Sequence, residues 1–381
     1  MENLAILDIS YATKIQNREK TIAHIEYWLK NSNFPILIIS GPDGIVFYES
    51  IFGGQLSYLI LPCSKKVLNP NIFVICFEYI ARIFCILLLK VNYDLTHIYT
   101  VTSQFHDICC LCLLKIKFKS VKTFATFDNF VPKPYSRPGN YLRNILAYSS
   151  HLITRRLLHF VDCIFAYLND PNFTLLKSYF SSNKRIIQLE NGLDLNLITT
   201  TYISPDTTFD IVYLGRIHEA KGIFDFLTIS KNLTKSFPNL KIAIAGSGDT
   251  SSTAKFKLFL KENRLLDNIT FFGFVSTSEK YKILKSSKIF IAPSYDESFP
   301  ISTIEAYACS CQIIVYALPV YKNPPYINFS LKLVKVGSIE GLLRETAFLL
   351  AQNYPISKPD FSLITGYTSN AKTELDNFLN L

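Results

Sequence analysis

The chain has 381 residues, of which 49% are hydrophobic, 14% aromatic and only 18% charged, with a formal net charge of +9 and a mean hydropathy of +0.21. These values exclude a disordered chain, a collagen-like repeat and a small disulfide-stapled scaffold, and the length allows two or three domains. So little charge leaves a protein with unusually large buried surfaces or one that works against a membrane.

Met1 to Asp8 is acidic where a signal peptide would be basic. Short apolar runs then alternate with helical patterns. Strands are expected at Leu4–Ile9, Ile36–Ile39, Tyr58–Leu61, His97–Val101, Thr123–Phe127, Cys163–Leu168 and Arg185–Leu189, with helices such as Lys20–Lys30 and Tyr141–His159 between them. Continuous apolar strands alternating with helices mean a parallel sheet covered on both faces. The most apolar stretch, Ile72 to Leu89, is interrupted by Glu78 and Arg82, an i,i+4 pair. Each charge would cost several kcal/mol at mid-bilayer, so a buried or interfacial helix is expected and no transmembrane segment.

Nine cysteines, an odd number, lie mostly in apolar runs such as Cys109-Cys110-Leu111-Cys112, which suits buried thiols in a reducing cytoplasm. His106 with Cys109 and Cys112 matches no zinc spacing, and no metal is expected. His97 and His106 sit near the ends of the fourth strand, facing either cleft or core. Residues 1–195 carry 20 basic and 14 acidic residues. Lys115, Lys117, Lys119 and Lys122 form a basic run that reads as a solvated edge or as a contact with anionic membrane, which Arg137, Arg143, Arg155 and Arg156 would extend. No nucleic-acid motif accompanies the charge.

Leu195 to Phe209 is rich in Thr and reads as a linker. A second series follows, with strands at Ile211–Leu214, Lys241–Ala245, Ile269–Phe272, Ile289–Ala292, Gln312–Tyr316 and Lys332–Val336. Its helices include Ile223–Phe237, Ala254–Asn263, Ser278–Lys285, Ile301–Ala308 and Ile339–Gln352. The division is therefore 1–195, 196–365 and a C-terminal helix, 366–381, returning to the first domain. Two doubly wound α/β domains bind ligands at the carboxyl ends of their strands.

Three loops at such ends carry chemistry. In Gly215-Arg216-Ile217-His218-Glu219-Ala220-Lys221-Gly222, Gly215 permits close backbone approach while Arg216 and Lys221 offer cations for phosphate. Gly246-Ser247-Gly248-Asp249 is either a phosphate cradle or a glycine-rich turn. The third runs from Pro293 through Glu297, Phe299, Pro300, Ile301 and Ser302 to Glu305. Ser302 and Glu305 have capping-box spacing, the alternative to a binding role for Glu305. With Glu297 in the loop and Glu305 one turn into the helix, two carboxylates can hold different hydroxyls of one ligand, and the helix-start amides its phosphates.

In this order and spacing, these loops resemble the donor-binding domain of retaining GT-B glycosyltransferases, specifically glycosyltransferase family 4. Phe272-Gly273-Phe274-Val275, Glu190-Asn191-Gly192-Leu193-Asp194 and Leu318-Pro319-Val320-Tyr321 add to the likeness. The resemblance implies two Rossmann-like domains facing across a cleft, a nucleotide-sugar donor and a glycan or lipid-linked acceptor. It implies Arg216 and Lys221 on the diphosphate, Glu297 on the transferred sugar, Glu305 on the ribose and backbone around Phe274 and Val275 at the base. Family members retain anomeric configuration without a bound metal, and the expected chain is cytoplasmic, with peripheral membrane contact. The first strand departs from the family by lacking a glycine loop in Asp8-Ile9-Ser10-Tyr11-Ala12, and Phe127 falls where the family has a histidine, leaving Asp128 as the nearest polar group. Two other readings stay open: a binding protein of this architecture, and a nucleotide-sugar epimerase.

Overall fold

Apolar runs of four to six residues, each followed by a helix, form parallel strands throughout this computed structural model. It describes residues 3–8, 19–61, 72–89, 94–136, 141–168, 170–203, 208–297, 299–352 and 358–380. The chain divides into two units, Met1–Gly192 with Tyr367–Leu381, and Leu193–Gly366. The segment after the first strand, Ile9–Ala12, and Arg137 lie outside the described residues, as does the side chain of Arg143.

In the first unit the order is β1 (Leu4–Asp8), α1 (Glu19–Asn31), β2 (Ile36–Ser40), α2 (Pro42–Phe52), β3 (Ser57–Ile60), α3 (Ile72–Leu88), β4 (His97–Thr100), α4 (Phe105–Lys117), β5 (Lys122–Phe127), α5 (Tyr141–Leu157), β6 (Cys163–Ala166), α6 (Asp170–Ser178) and β7 (Arg185–Gln188). The sheet order is β3-β2-β1-β4-β5-β6-β7. One face packs on α3, α4 and α6 through Ile86, Ile108, Leu111 and Leu176, and the other on α1 and α2 through Ile25, Trp28 and Tyr48.

The second unit runs α7 (Leu195–Thr200), β8 (Phe209–Leu214), α8 (Ile223–Ser236), β9 (Ile242–Ala245), α9 (Thr250–Glu262), β10 (Ile269–Gly273), α10 (Thr277–Lys285), β11 (Ser287–Ala292), α11 (Ile301–Ala308), β12 (Gln312–Tyr316), β13 (Leu331–Val334) and α12 (Ile339–Gln352). Its sheet order is β10-β9-β8-β11-β12-β13. The order reverses between β8 and β11, which makes their carboxyl ends the switch point at which folds of this kind bind ligands. α13 (Tyr367–Leu379) belongs to the first unit and packs on α1, where Trp28 Nε1 donates to the Ala371 carbonyl at 2.9 Å.

Several expectations are corrected. The Thr-rich stretch is not linker throughout: Asp194 accepts from the Leu197 amide at 2.8 Å and starts α7. α9 begins at Thr250 rather than Ala254, because Asp249 caps it through the Ser252 amide. The helix expected to reach His159 ends at Leu157 and closes in a 3₁₀ turn, Leu158–Phe160. Of the two readings left open for His97 and His106, the core is the one found: His97 on β4 packs against Phe34 and Phe124, and His106 in the first turn of α4 stacks on Tyr79 at 3.8 Å. The basic run is not a free surface along its length. Lys115 pairs with Asp162 at 2.6 Å, and Lys117 donates to the carbonyls of Leu87 and Leu89 at the end of α3.

Candidate active site

The β8 loop is held in shape by its own strand. Buried Tyr213 donates to the Arg216 carbonyl at 2.9 Å and approaches that of Lys221 at 3.2 Å, curling residues 215–221 over the strand end. Burial pushes the Tyr213 phenol well above its ordinary range, with the Glu297 carboxylate adding to the effect, so it remains a neutral donor. Gly222 then turns the chain into α8 with φ +66, and a Cβ there would lie 1.8 Å from the Pro293 carbonyl oxygen. Only glycine lets the β8 loop approach the β11 loop this closely.

Two further contacts knit these loops. The Tyr295 amide donates to the Ala220 carbonyl at 3.0 Å, and the Tyr295 and Tyr316 hydroxyls both donate to Asp225 on α8, at 2.6 and 2.5 Å. Lys221 Nζ consequently meets Glu297 Oε1 at 2.5 Å, both side chains being mostly shielded from solvent. Arg216 is exposed at the same loop. The sequence separates Lys221 and Glu297 by 76 positions, and the switch point between β8 and β11 brings them into contact.

The second loop is a tightly packed glycine turn. Gly246, at φ +147, would place a Cβ 1.8 Å from the Gly215 carbonyl oxygen, and Gly248 would place one 2.4 Å from that of Ile217. The Ile217 amide donates to Ser247 at 3.0 Å and the Gly246 amide to Gly273 at 2.7 Å, tying the loops after β8, β9 and β10 together. These glycines thus shape the floor beneath Gly215 and Arg216.

The capping-box alternative for Glu305 is overturned. α11 has no side-chain cap, Pro300 standing at its N-cap, and Ile301 and Ser302 form its first turn. Glu305 is instead buried, one turn in, with Lys280 Nζ of α10 at 2.5 Å. Sequence reasoning missed Lys280 and Tyr213. Lys280 reaches its partner across two helices with no local pattern to mark it, whereas a tyrosine two residues before Gly215 was a visible signal. Phe299 packs on Tyr326. Phe274 is exposed, and with Val275 it lines an apolar cavity of about 480 Å³ shared with Phe209, Phe272 and Ile283. None of Arg216, Lys221, Glu297 and Glu305 lines it.

Asp128 and Asn191 belong to the first unit. Asp128 is half-exposed, with Lys20 at 3.8 Å, and Asn191 is partly buried. Phe127 is fully buried against Phe130 and His151, so the β5 end offers only Asp128 as a polar group at this pair of positions. Among the described residues no group of three or more His, Cys, Asp or Glu is arranged to hold a metal ion, and no helix is long and apolar enough to cross a membrane.

Residues 201–355 match the family model described as glycosyl transferases group 1. Alpha-galactosylglucosyldiacylglycerol synthase of Streptococcus pneumoniae is 22% identical over 254 residues, 61% of this chain and 63% of that protein. D-inositol 3-phosphate glycosyltransferase of Paenarthrobacter aurescens is 27% identical over 151 residues, 37% of either chain. The capsular polysaccharide biosynthesis glycosyltransferase CapH of Staphylococcus aureus is 29% identical over 144 residues, 38% and 39% of the two chains. The alignments thus span less than two thirds of these relatives' own lengths. Among solved structures, sucrose-phosphate synthase from Thermosynechococcus elongatus superposes with a TM-score of 0.72 at 14% identity, covering 99% of this chain and 95% of that one. Anabaena HepE, solved in complex with UDP-glucose, gives 0.65 at 12%, with the same coverage. At such identities the likeness is one of fold, that of the GT-B glycosyltransferases.

Proposed function

Because residues 201–355 form a glycosyl transferases group 1 domain within a GT-B fold, we propose that this protein transfers a sugar from a nucleotide-sugar donor to a glycan or lipid-linked acceptor, with retention of anomeric configuration. The observation that carries this reading is the Lys221–Glu297 pair, a cation and a carboxylate in contact at the carboxyl ends of β8 and β11.

Arg216 and Lys221 bind the donor diphosphate, joined by amides of the uncapped start of α11 around Phe299, Ile301 and Ser302. As the glycosidic bond breaks, negative charge grows on the leaving phosphate, and a fixed cation there lowers the barrier. The two cations and the helix terminus take the part a divalent ion plays at other phosphate sites. Lys221 exchanges part of its contact with Glu297 for phosphate, which frees the carboxylate to accept hydroxyls of the sugar. Glu305 accepts from the ribose diol, and the backbone at Phe274 and Val275 flanks the base. Gly246 and Gly248, packed on the carbonyls of Gly215 and Ile217, hold from beneath the loop backbone that the diphosphate approaches. In the first unit, Asp128 and Asn191 are assigned to the sugar and acceptor side. The chain works in the cytoplasm, at the membrane face where a lipid-linked acceptor would stand.

The test is turnover. Wild-type protein is expected to release nucleoside diphosphate slowly from its donor without acceptor, and Glu297→Ala to abolish this. Product NMR reads the anomer, and an inverted product refutes retention. The burial of Phe127 favours one second reading, a binding protein of this fold. Donor binding without turnover under any acceptor would support that one.

A further inference from the structure

Helix α3 is built inside out. Its only charged residues, Glu78 and Arg82, are buried at 4.0 Å from one another, while Phe77, Ile80, Phe84, Leu87 and Leu88 are exposed. At 3.6 residues per turn these five positions fall within an arc of about 100°, opposite Arg82 and the buried Ile86. A helix bathed by water on its outer face presents the reverse pattern.

The neighbouring helices extend this surface. α3 packs on α4, and α4 on α5, forming one layer over the first unit's sheet. Exposed apolar residues continue it at Ile116 on α4 and at Leu142, Leu146 and Ile153 on α5. The three helices contain two carboxylates, Glu78 and Asp107, and both are buried. The exposed charge on the layer is positive: Lys117 at the junction of α3 and α4, and Arg156 on α5, with Lys119 and Lys122 just beyond α4.

We propose that the outer face of α3, continued by α4 and α5, is a lipid-docking surface that seats the first unit on an anionic membrane. The apolar arc enters the acyl boundary while the cations at its rim meet lipid phosphates. An aqueous protein partner would need carboxylates opposite those cations and an apolar patch of matching outline, whereas an anionic membrane supplies phosphate charge and an apolar layer without shape complementarity. The arc is one helix wide, and among the described residues no helix is long and apolar enough to cross a membrane, so the attachment is shallow and reversible. This inference locates the membrane contact proposed above and is independent of the donor reading, since it is measured without nucleotide.

The experiment uses the full chain with vesicles of phosphatidylcholine alone or in equal parts with phosphatidylglycerol. Wild-type protein is expected to sediment with the anionic vesicles, and Phe77→Ser with Phe84→Ser to weaken this about tenfold. A reporter locates the contact. The chain's single tryptophan, Trp28, is buried, so Phe84→Trp or Ile80→Trp, both at exposed positions, adds a surface probe. Its emission is expected to shift to the blue on anionic vesicles, and that of Leu258→Trp on α9 to stay unchanged. Sedimentation that is absent, or unaffected by the double serine variant, overturns the proposal. So does a blue shift that grows with protein concentration in the absence of lipid, with doubled mass in light scattering, which assigns the face to a second copy.

Discussion

Two glycines with the same φ of +66 separate backbone strain from close packing. A Cβ at Gly222 would collide with the Pro293 carbonyl at 1.8 Å, whereas at Gly273 it would meet nothing within 4 Å. Gly273→Ala should therefore cost about 1 kcal/mol, the penalty of a left-handed conformation alone. Gly222→Ala should cost at least about twice as much, because the β8 and β11 loops must also separate. Urea unfolding midpoints decide this, and equal costs would contradict the account of knitted loops. Gly222 was legible because it stands beside Lys221 in a recognisable spacing. The Lys280–Glu305 contact was not, since Ser302 and Glu305 carry a local capping pattern that a tertiary ion pair displaces.

At the scale of elements, α13 shows how a helix can be legible while its role is hidden. Its Glu374 shares a face with Ala371, Leu375 and Phe378 and is fully buried beneath α1 and the sheet. His24 contacts it at 2.7 Å, and Tyr167 and Tyr99 donate to it at 2.6 and 3.3 Å. Burial alone would raise this carboxyl, but His24 with Lys20 and Tyr167 brings it below its ordinary value. Glu374→Ala leaves three buried polar groups without their shared acceptor and should destabilise the first unit by about 3 kcal/mol. Hydrogen exchange would show α1 and α13 losing protection together; unchanged exchange in α1 would refute the coupling. α3 hid its organisation in the same way, because composition shows an apolar helix but not which side its two charges take.

For the whole molecule, strand positions were readable to within a residue or two because both faces of each sheet are covered, leaving runs of consecutive apolar residues. The high apolar content fills four such faces and one outward layer over the first unit. That interior also sets the acid sensitivity. Burial, reinforced by nearby arginines, lowers His106 to about 3 and His151 to about 4, against 6.5 for an ordinary histidine. Between these values the unfolded chain binds more protons, so stability falls as pH drops below about 6.5, by up to about 1.4 kcal/mol per pH unit for each histidine. His151→Phe, placed among Phe127 and Phe130, should remove one such contribution. Urea titrations at successive pH values read the slope, and an unchanged slope would show that His151 titrates normally.

The most direct test of the central claim is a thermal-shift titration of UDP-, GDP- and ADP-sugars against wild-type protein and Lys221→Ala. One nucleotide class should raise the wild-type midpoint, with about 2.7 kcal/mol of stabilisation at a hundredfold excess over Kd, and the variant should lose most of that shift. A wild-type protein indifferent to every nucleotide-sugar, or a variant that responds as strongly as wild type, would contradict the donor site at the carboxyl ends of β8 and β11.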